Sequence, residues 1–282
     1  MNLASSFQWN SYCELWETLD TSHAMNVLGN KLLVHCVVAY NKPNLINELL
    51  GRISDFEKDA SVIIIDNSEV LILKDIIPPH MTSVFYVKNR DKTSAADGFH
   101  LAMSFYKEFV SKEEVHSYLW CHDHDGFPLQ SVDGLVGGET ADILCPDVYS
   151  SCDSVHWYNR NHLFTRFNIG LLIIPSILSL YQRISFVGMA GLIVSRSCIE
   201  AYGIVDCERF SNSSFDYEYS LRVYLNGGTI KRLGFAYYHP YKSSVFPHPV
   251  FSIFPSFLGW KSLFSNKFAF KNEILSLVED IR

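Results

Sequence analysis

The stretch from Leu32 to Asp66 constrains the fold more than any other part of this chain. Leu32-Leu-Val-His-Cys-Val-Val-Ala-Tyr40 is a near-continuous apolar and β-branched run, the pattern of a parallel strand buried on both faces. Asn41-Lys-Pro43 follows, with Pro43 suited to the first turn of a helix, and Leu45, Ile46, Leu49, Leu50 and Ile53 make an apolar helical stripe. Ser61-Val-Ile-Ile-Ile-Asp66 is a second buried strand, ending in a carboxylate. Together they form a βαβ unit, which commits the chain to an α/β fold with a parallel sheet.

A third strand, Val84-Phe-Tyr-Val87, runs into the polar loop Lys88-Asn-Arg-Asp-Lys-Thr-Ser94, which opens a helix from about Ala95 to Val110. The fourth, Tyr118-Leu-Trp-Cys121, ends in His122-Asp-His-Asp-Gly126. In open α/β sheets, ligands bind outside the carboxyl ends of the strands, and Asp66, the Asn89 loop, Asp123 and Asp125 all lie at such ends. Beyond Gly126 the alternation weakens. A short strand near Ala141–Cys145 precedes the aromatic stretch Val155–His162, and Gly188–Val194 reads as a strand with Ser195 capping the helix that ends at Gly203. A helix over Ser214–Asn226 closes on Gly227-Gly228, and Thr229–Leu233 and Phe235–Tyr238 read as two short strands leading into His239-Pro240.

Composition narrows the function. Of 282 residues 48% are hydrophobic and 19% charged, enough for a sizeable core and too apolar for global disorder. A net charge of −7 without a Lys/Arg block argues against a nucleic-acid partner, so an anionic ligand must be held by a local device such as a metal or a helix end. The 7 cysteines form no CxxC pair, which points to a reducing compartment and no zinc ribbon. Met1–Asp20 has no basic n-region or apolar h-region, so the expected location is cytoplasmic. There is no G-x-G-x-x-G, no P-loop and no G-x-S-x-G elbow, which removes the dinucleotide, P-loop and hydrolase-triad readings.

Asp123-His124-Asp125 is the sharpest local feature. Two carboxylates in a D-x-D arrangement at a strand end reach one hard cation and a diphosphate together, although Asp-Gly is also a common turn. His239 is a candidate third ligand or a packed core imidazole. Asp216, at a helix start in Phe215-Asp-Tyr-Glu-Tyr219, is either a general base or the far side of a Ser213-x-x-Asp216 capping box. Its neighbour Glu218 is an alternative base or an i,i+4 partner of Arg222. Asp66-Asn-Ser68 is equally a nucleotide contact or a turn.

Taken in order, Val37–Pro43, Ile63–Ser68, Asn89 with Ala95-Ala-Asp-Gly98, Asp123–Asp125, Phe215–Tyr219 with Arg222, and Tyr238-His239 resemble the family 2 glycosyltransferases of GT-A fold. The late acidic element and the aromatic-His strand are most similar to bacterial galactofuranosyl- and rhamnosyltransferase-like members. The resemblance spans Leu32 to Pro240 and implies a Rossmann-like, mixed and mainly parallel sheet flanked by helices. On this reading residues 1–30 are an N-terminal extension, 31–240 the catalytic domain and 241–282 an aromatic, amphipathic C-terminal extension. The loop after Asn89 lacks the family's run of glycines, and one Asp precedes Tyr217 where many members have two.

The resemblance implies Mn2+ or Mg2+ on Asp123, Asp125 and His239, with donor contacts from Tyr40, Asn41, Asp66, Asn89, Asp97 and His124. It implies acceptor contacts from Trp157 and Tyr217, and Asp216 as base, with Glu218 as the alternative. The expected activity is an inverting transfer of a hexose of the galactofuranose, galactose or rhamnose class from a UDP-sugar to a glycan or lipid-linked glycan hydroxyl, in synthesis of bacterial surface polysaccharide such as the lipopolysaccharide O antigen. The competing readings are a sugar-nucleotide-forming nucleotidyltransferase, which lacks its Gly-rich basic N-terminal loop here, and an inactive glycosyltransferase-like binding scaffold. The aromatics from Phe246 to Phe264 either pack on the catalytic domain, form a homodimer contact or rest peripherally on the inner face of the plasma membrane. Packing is favoured, because aromatic residues at mixed spacing rarely make a clean membrane face.

Overall fold

A computed structural model describes residues 21–29, 31–69, 77–89, 94–110, 117–151, 154–155, 162–165, 168–172, 188–208 and 215–239. The elements in chain order are α1 (Thr21–Leu28), β1 (Leu33–Ala39), α2 (Pro43–Phe56), β2 (Ser61–Asp66), β3 (Val84–Lys88), α3 (Ala95–Phe109), β4 (Tyr118–Asp123) and β5 (Phe127–Pro128). They continue as α4 (Asp133–Val136), β6 (Ile143–Ser151), β7 (Ser154–Val155), β8 (His162–Thr165), β9 (Asn168–Leu172), β10 (Ile193–Ser195), α5 (Arg196–Tyr202), α6 (Phe215–Leu225) and β11 (Ile230–Tyr238).

Among the described residues nine strands form one sheet in the order β3-β2-β1-β4-β10-β6-β11-β5, with β7 paired to β6, while β8 and β9 pair separately. The β3-β2-β1-β4 half is entirely parallel. β10 enters antiparallel between β4 and β6, and β11 runs parallel to β6, so the sheet is mixed and mainly parallel as expected. Every residue of β1 and β2 is buried, which explains their unbroken apolar sequences. Alternate residues feed two layers. Val34, Cys36, Val38, Ile63 and Ile65 face a core shared with α1, α3, α5 and α6, whereas Val37, Ala39, Val62 and Ile64 face the Ile46, Leu49, Leu50 and Ile53 stripe of α2.

Residues 21–29 belong to this core. Ala24, Val27 and Leu28 of α1 are buried in it, and Ser61 Oγ donates to the Val27 carbonyl at 2.7 Å. Two other elements differ from the sequence reading. Only Ile193–Ser195 of the apolar run after Gly188 is strand, because Met189–Gly191 turns, with Gly191 at φ +72°. The two short strands after Thr229 are one strand, β11, in which Gly234 at φ +72° absorbs a register shift between Arg232 and Ala236 instead of ending it. The aromatic stretch around Trp157, the C-terminal extension from 241 and residues 1–20 lie outside the described residues.

Candidate functional site

The carboxyl ends of β1 to β4 make one rim. Asp66 is the register partner of Ala39 and of Lys88, and Asp123 that of Val38. The loops above the rim are held by a buried polar network. Asn89 Nδ2 donates to Asn67 Oδ1 at 2.9 Å, and Asn67 Nδ2 donates to the Ser94 carbonyl at 2.8 Å, tying the turns after β2 and β3 to the start of α3. Ser94 and Asp97 form a reciprocal capping box there. Gly98 lets α3 approach β1, since a Cβ at that position would lie 2.4 Å from Val38 Cγ1.

Asp66 is fully buried. Its Oδ1 accepts the Ser68 N–H at 2.8 Å, its Oδ2 accepts the Tyr86 hydroxyl at 2.6 Å, and Lys88 Nζ lies 3.4 Å away. The Asp-Asn-Ser turn is therefore present and takes up the carboxylate. Asn41 adopts a left-handed φ of 46° and donates its N–H to Ser68 Oγ at 3.0 Å, while the exposed Tyr40 donates to Glu69 Oε1 at 3.4 Å. Asn and a polar side chain partner make the left-handed conformation tolerable here.

Asp123, Asp125 and His239 are brought together. His239 follows the end of β11, and its Nε2 lies 3.6 Å from Asp123 Oδ2 and 3.3 Å from Asp125 Oδ1. Burial pulls this imidazole down, but the hydrogen bonds and charges of Asp123 and Asp125 outweigh it and push His239 up to about 10. Burial likewise opposes ionisation of Asp125, and the His239 hydrogen bond and charge overcome it, holding the carboxyl below its usual range. The imidazole is thus turned onto the two carboxylates as an ion pair. Among the described residues no group of three or more His, Cys, Asp or Glu is arranged so that it could hold a metal ion as it stands. The donor types, two carboxylates and one imidazole, are those that Mn2+ or Mg2+ take, and the His239 proton stands between them and a cation. His124 is half-buried in the turn between the two aspartates.

Asp216 and Glu218 are separated by their surroundings. Glu218 is buried, accepting from Arg222 Nε at 2.7 Å and Nη2 at 3.2 Å. The same guanidinium donates to the carbonyls of Tyr202 and Ile204 and lies over the Tyr219 ring, so Glu218 serves the joint between α5 and α6. Asp216 is partly exposed at the start of α6. Phe215 packs at a tilt against Phe99, ring centroids 5.7 Å apart, which seats the start of α6 against the first turns of α3. Ser213, the other half of the expected capping box, and the side chains of Tyr217 and Trp157 lie outside the described residues.

One buried chain had no place in the sequence reading. Glu57 Oε2 is 3.0 Å from His35 Nε2, His35 Nδ1 is 3.0 Å from His122 Nε2, and His122 Nδ1 is 3.2 Å from the Tyr237 hydroxyl. Burial, and then the charge His35 would carry, hold His122 well below the usual imidazole range, so it is neutral. The available signal was a histidine inside each of two strands buried along almost their whole length, since a buried ring nitrogen needs a partner.

This architecture defines a class. The curled, mainly parallel sheet with its flanking helices has the GT-A glycosyltransferase fold. No protein-family model matches the sequence, and no curated protein matches it. Solved structures do. TarS residues 1–349 from S. aureus superposes with a TM-score of 0.53 at 14% identity over 74% of this chain and 60% of its own. GalNAc-T7 with UDP, GalNAc and Mn2+ gives 0.56 at 11% identity over 78% and 45%. The mannosyltransferase PcManGT from Pyrobaculum calidifontis with GDP-Man and Mn2+ gives 0.54 at 11% identity over 83% and 66%. This chain therefore spans less than two thirds of each of those proteins, and the likeness is one of fold. No helix among the described residues is long and apolar enough to cross a membrane.

Proposed function

We propose that this chain is a metal-dependent, inverting glycosyltransferase that moves a hexosyl group from a nucleotide diphosphate donor, UDP favoured, to a hydroxyl of a glycan or lipid-linked glycan. The galactofuranose, galactose and rhamnose class and bacterial surface polysaccharide synthesis are the proposed setting. The observation that carries the reading is the meeting of Asp123, Asp125 and His239 at the rim of a GT-A sheet. Neighbours of the same fold crystallised with UDP and Mn2+ or GDP-Man and Mn2+ support it.

Asp123, Asp125 and His239 would hold the cation, which when bound would supply Lewis-acid stabilisation to a departing nucleoside diphosphate. Asp216 accepts the proton of the acceptor hydroxyl as that oxygen attacks the anomeric carbon. Glu218 is the weaker candidate for that role, because its carboxylate is engaged by Arg222. Tyr40, Asn41, Asn89 and His124 contact the donor. Asp66 and Asp97 act through the turn and cap that already engage their carboxylates. Tyr217 and Trp157 remain the proposed acceptor contacts.

The test is a panel of sugar nucleotides incubated with the protein and Mn2+. Slow, metal-dependent donor hydrolysis by one of them, lost in Asp125→Ala, is the expected result. No hydrolysis, with no rise in Tm on adding any nucleotide with Mn2+, would favour the binding scaffold.

A further inference from the structure

Asp123 ends β4 and His239 follows β11, strands that β10 and β6 separate in the sheet order. The main-chain tie between the acidic turn and β11 is the two-residue strand β5, where Phe127 and Pro128 pair with Tyr238 and Tyr237. Tyr237 adds a side-chain tie. Lying two residues before His239, it brings its hydroxyl 3.2 Å from Nδ1 of His122, the residue before Asp123. Its ring also fills the space beneath the acidic turn. A Cβ on Gly126 would come within 2.7 Å of the ring's Cε1, and one on Gly191 within 2.7 Å of its Cγ.

The chain is continuous. The Glu57 carboxylate accepts from Nε2 of His35, and Nδ1 of His35 is hydrogen-bonded to Nε2 of His122. His35 and His122 stack at 5.3 Å and His122 and Tyr237 at 5.7 Å, so the ring planes are constrained.

We propose that Glu57, His35, His122 and Tyr237 are positioning residues for the cation site, which together with the β5–β11 pairing set the spacing between the Asp123–Asp125 turn after β4 and His239 after β11. This rests on the reading of those three side chains as cation ligands.

The test measures Mn2+ affinity by the electron paramagnetic resonance of free Mn2+, with the Tm of each variant recorded alongside. Tyr237→Phe keeps the ring and removes the hydroxyl, and Glu57→Leu removes the acceptor at a partly exposed position. Each is expected to weaken Mn2+ binding about tenfold, the usual size of an outer-sphere partner, while Glu57→Gln, which keeps an acceptor oxygen, restores most of it. Unchanged Mn2+ affinity in Tyr237→Phe and Glu57→Leu overturns the positioning role and leaves the cation reading standing. Absence of Mn2+ binding by the unmodified protein overturns both.

Discussion

Nε2 of His239 lies 3.3 Å from Oδ1 of Asp125, so a base at the end of β11 and an acid in the turn after β4 hold a proton between them. A cation that takes these ligands must displace that proton. With His239 pushed up to about 10, Mn2+ uptake at neutral pH is expected to release about one proton per ion. Titration calorimetry in buffers of different ionisation enthalpy reads this directly. His239→Gln should bind more weakly and release none.

Without metal, the same pair makes stability depend on alkaline pH. The folded-state pKa of His239 is raised, so the contribution is fully present below the unfolded value of about 6.5 and is lost as pH rises towards 10. Thermal unfolding of the metal-free protein should show Tm falling across that window. A His239→Gln protein with the same slope would refute the assignment.

The two acids of α6 are expected to fail in different ways. Asp216→Asn should abolish turnover while leaving Mn2+ affinity close to that of the parent. Glu218→Gln leaves Arg222 facing the Tyr202 and Ile204 carbonyls without its charge partner, and should cost about 2–3 kcal/mol of stability. Retained turnover in Asp216→Asn would transfer the base role to Glu218.

Gly98→Ala tests how α3 is held against the sheet. The added methyl falls 2.4 Å from Val38 Cγ1 and 2.9 Å from Asn67 Nδ2, so helix or strand must give way at a cost of about 1–3 kcal/mol. Combining it with Val38→Ala, which removes the obstructing methyls, should cost less than the sum of the two single changes. Denaturant unfolding of the four proteins in the cycle decides the point.

The first half of the fold was legible because burial on both faces leaves its mark on sequence. The run from Ser61 to Asp66 has the strand's own limits, and Pro43 starts α2 where proline at a first turn should. β11 was harder, since a glycine inside an apolar run reads as an ending, and only the backbone shows Gly234 serving as a bulge. Among the candidate site residues, the meeting of Asp123, Asp125 and His239 was foreshadowed by their order at strand ends. Glu218 was legible only as a pair of readings until the Arg222 contact appeared. The Glu57 chain left almost no trace, because sequence separation hides which buried polar groups meet.

The placement of β10 bears on how the protein is made. Until the chain has been synthesised as far as Ile193, β4 has no partner on the side that β10 later covers, and the strand carrying Asp123 is an open edge beside a finished parallel half-sheet. Such an edge invites pairing with other chains. Assembly of the rim therefore waits on a distant, three-residue strand, and substitutions at Ile193 or Val194 should show themselves first as aggregation during expression.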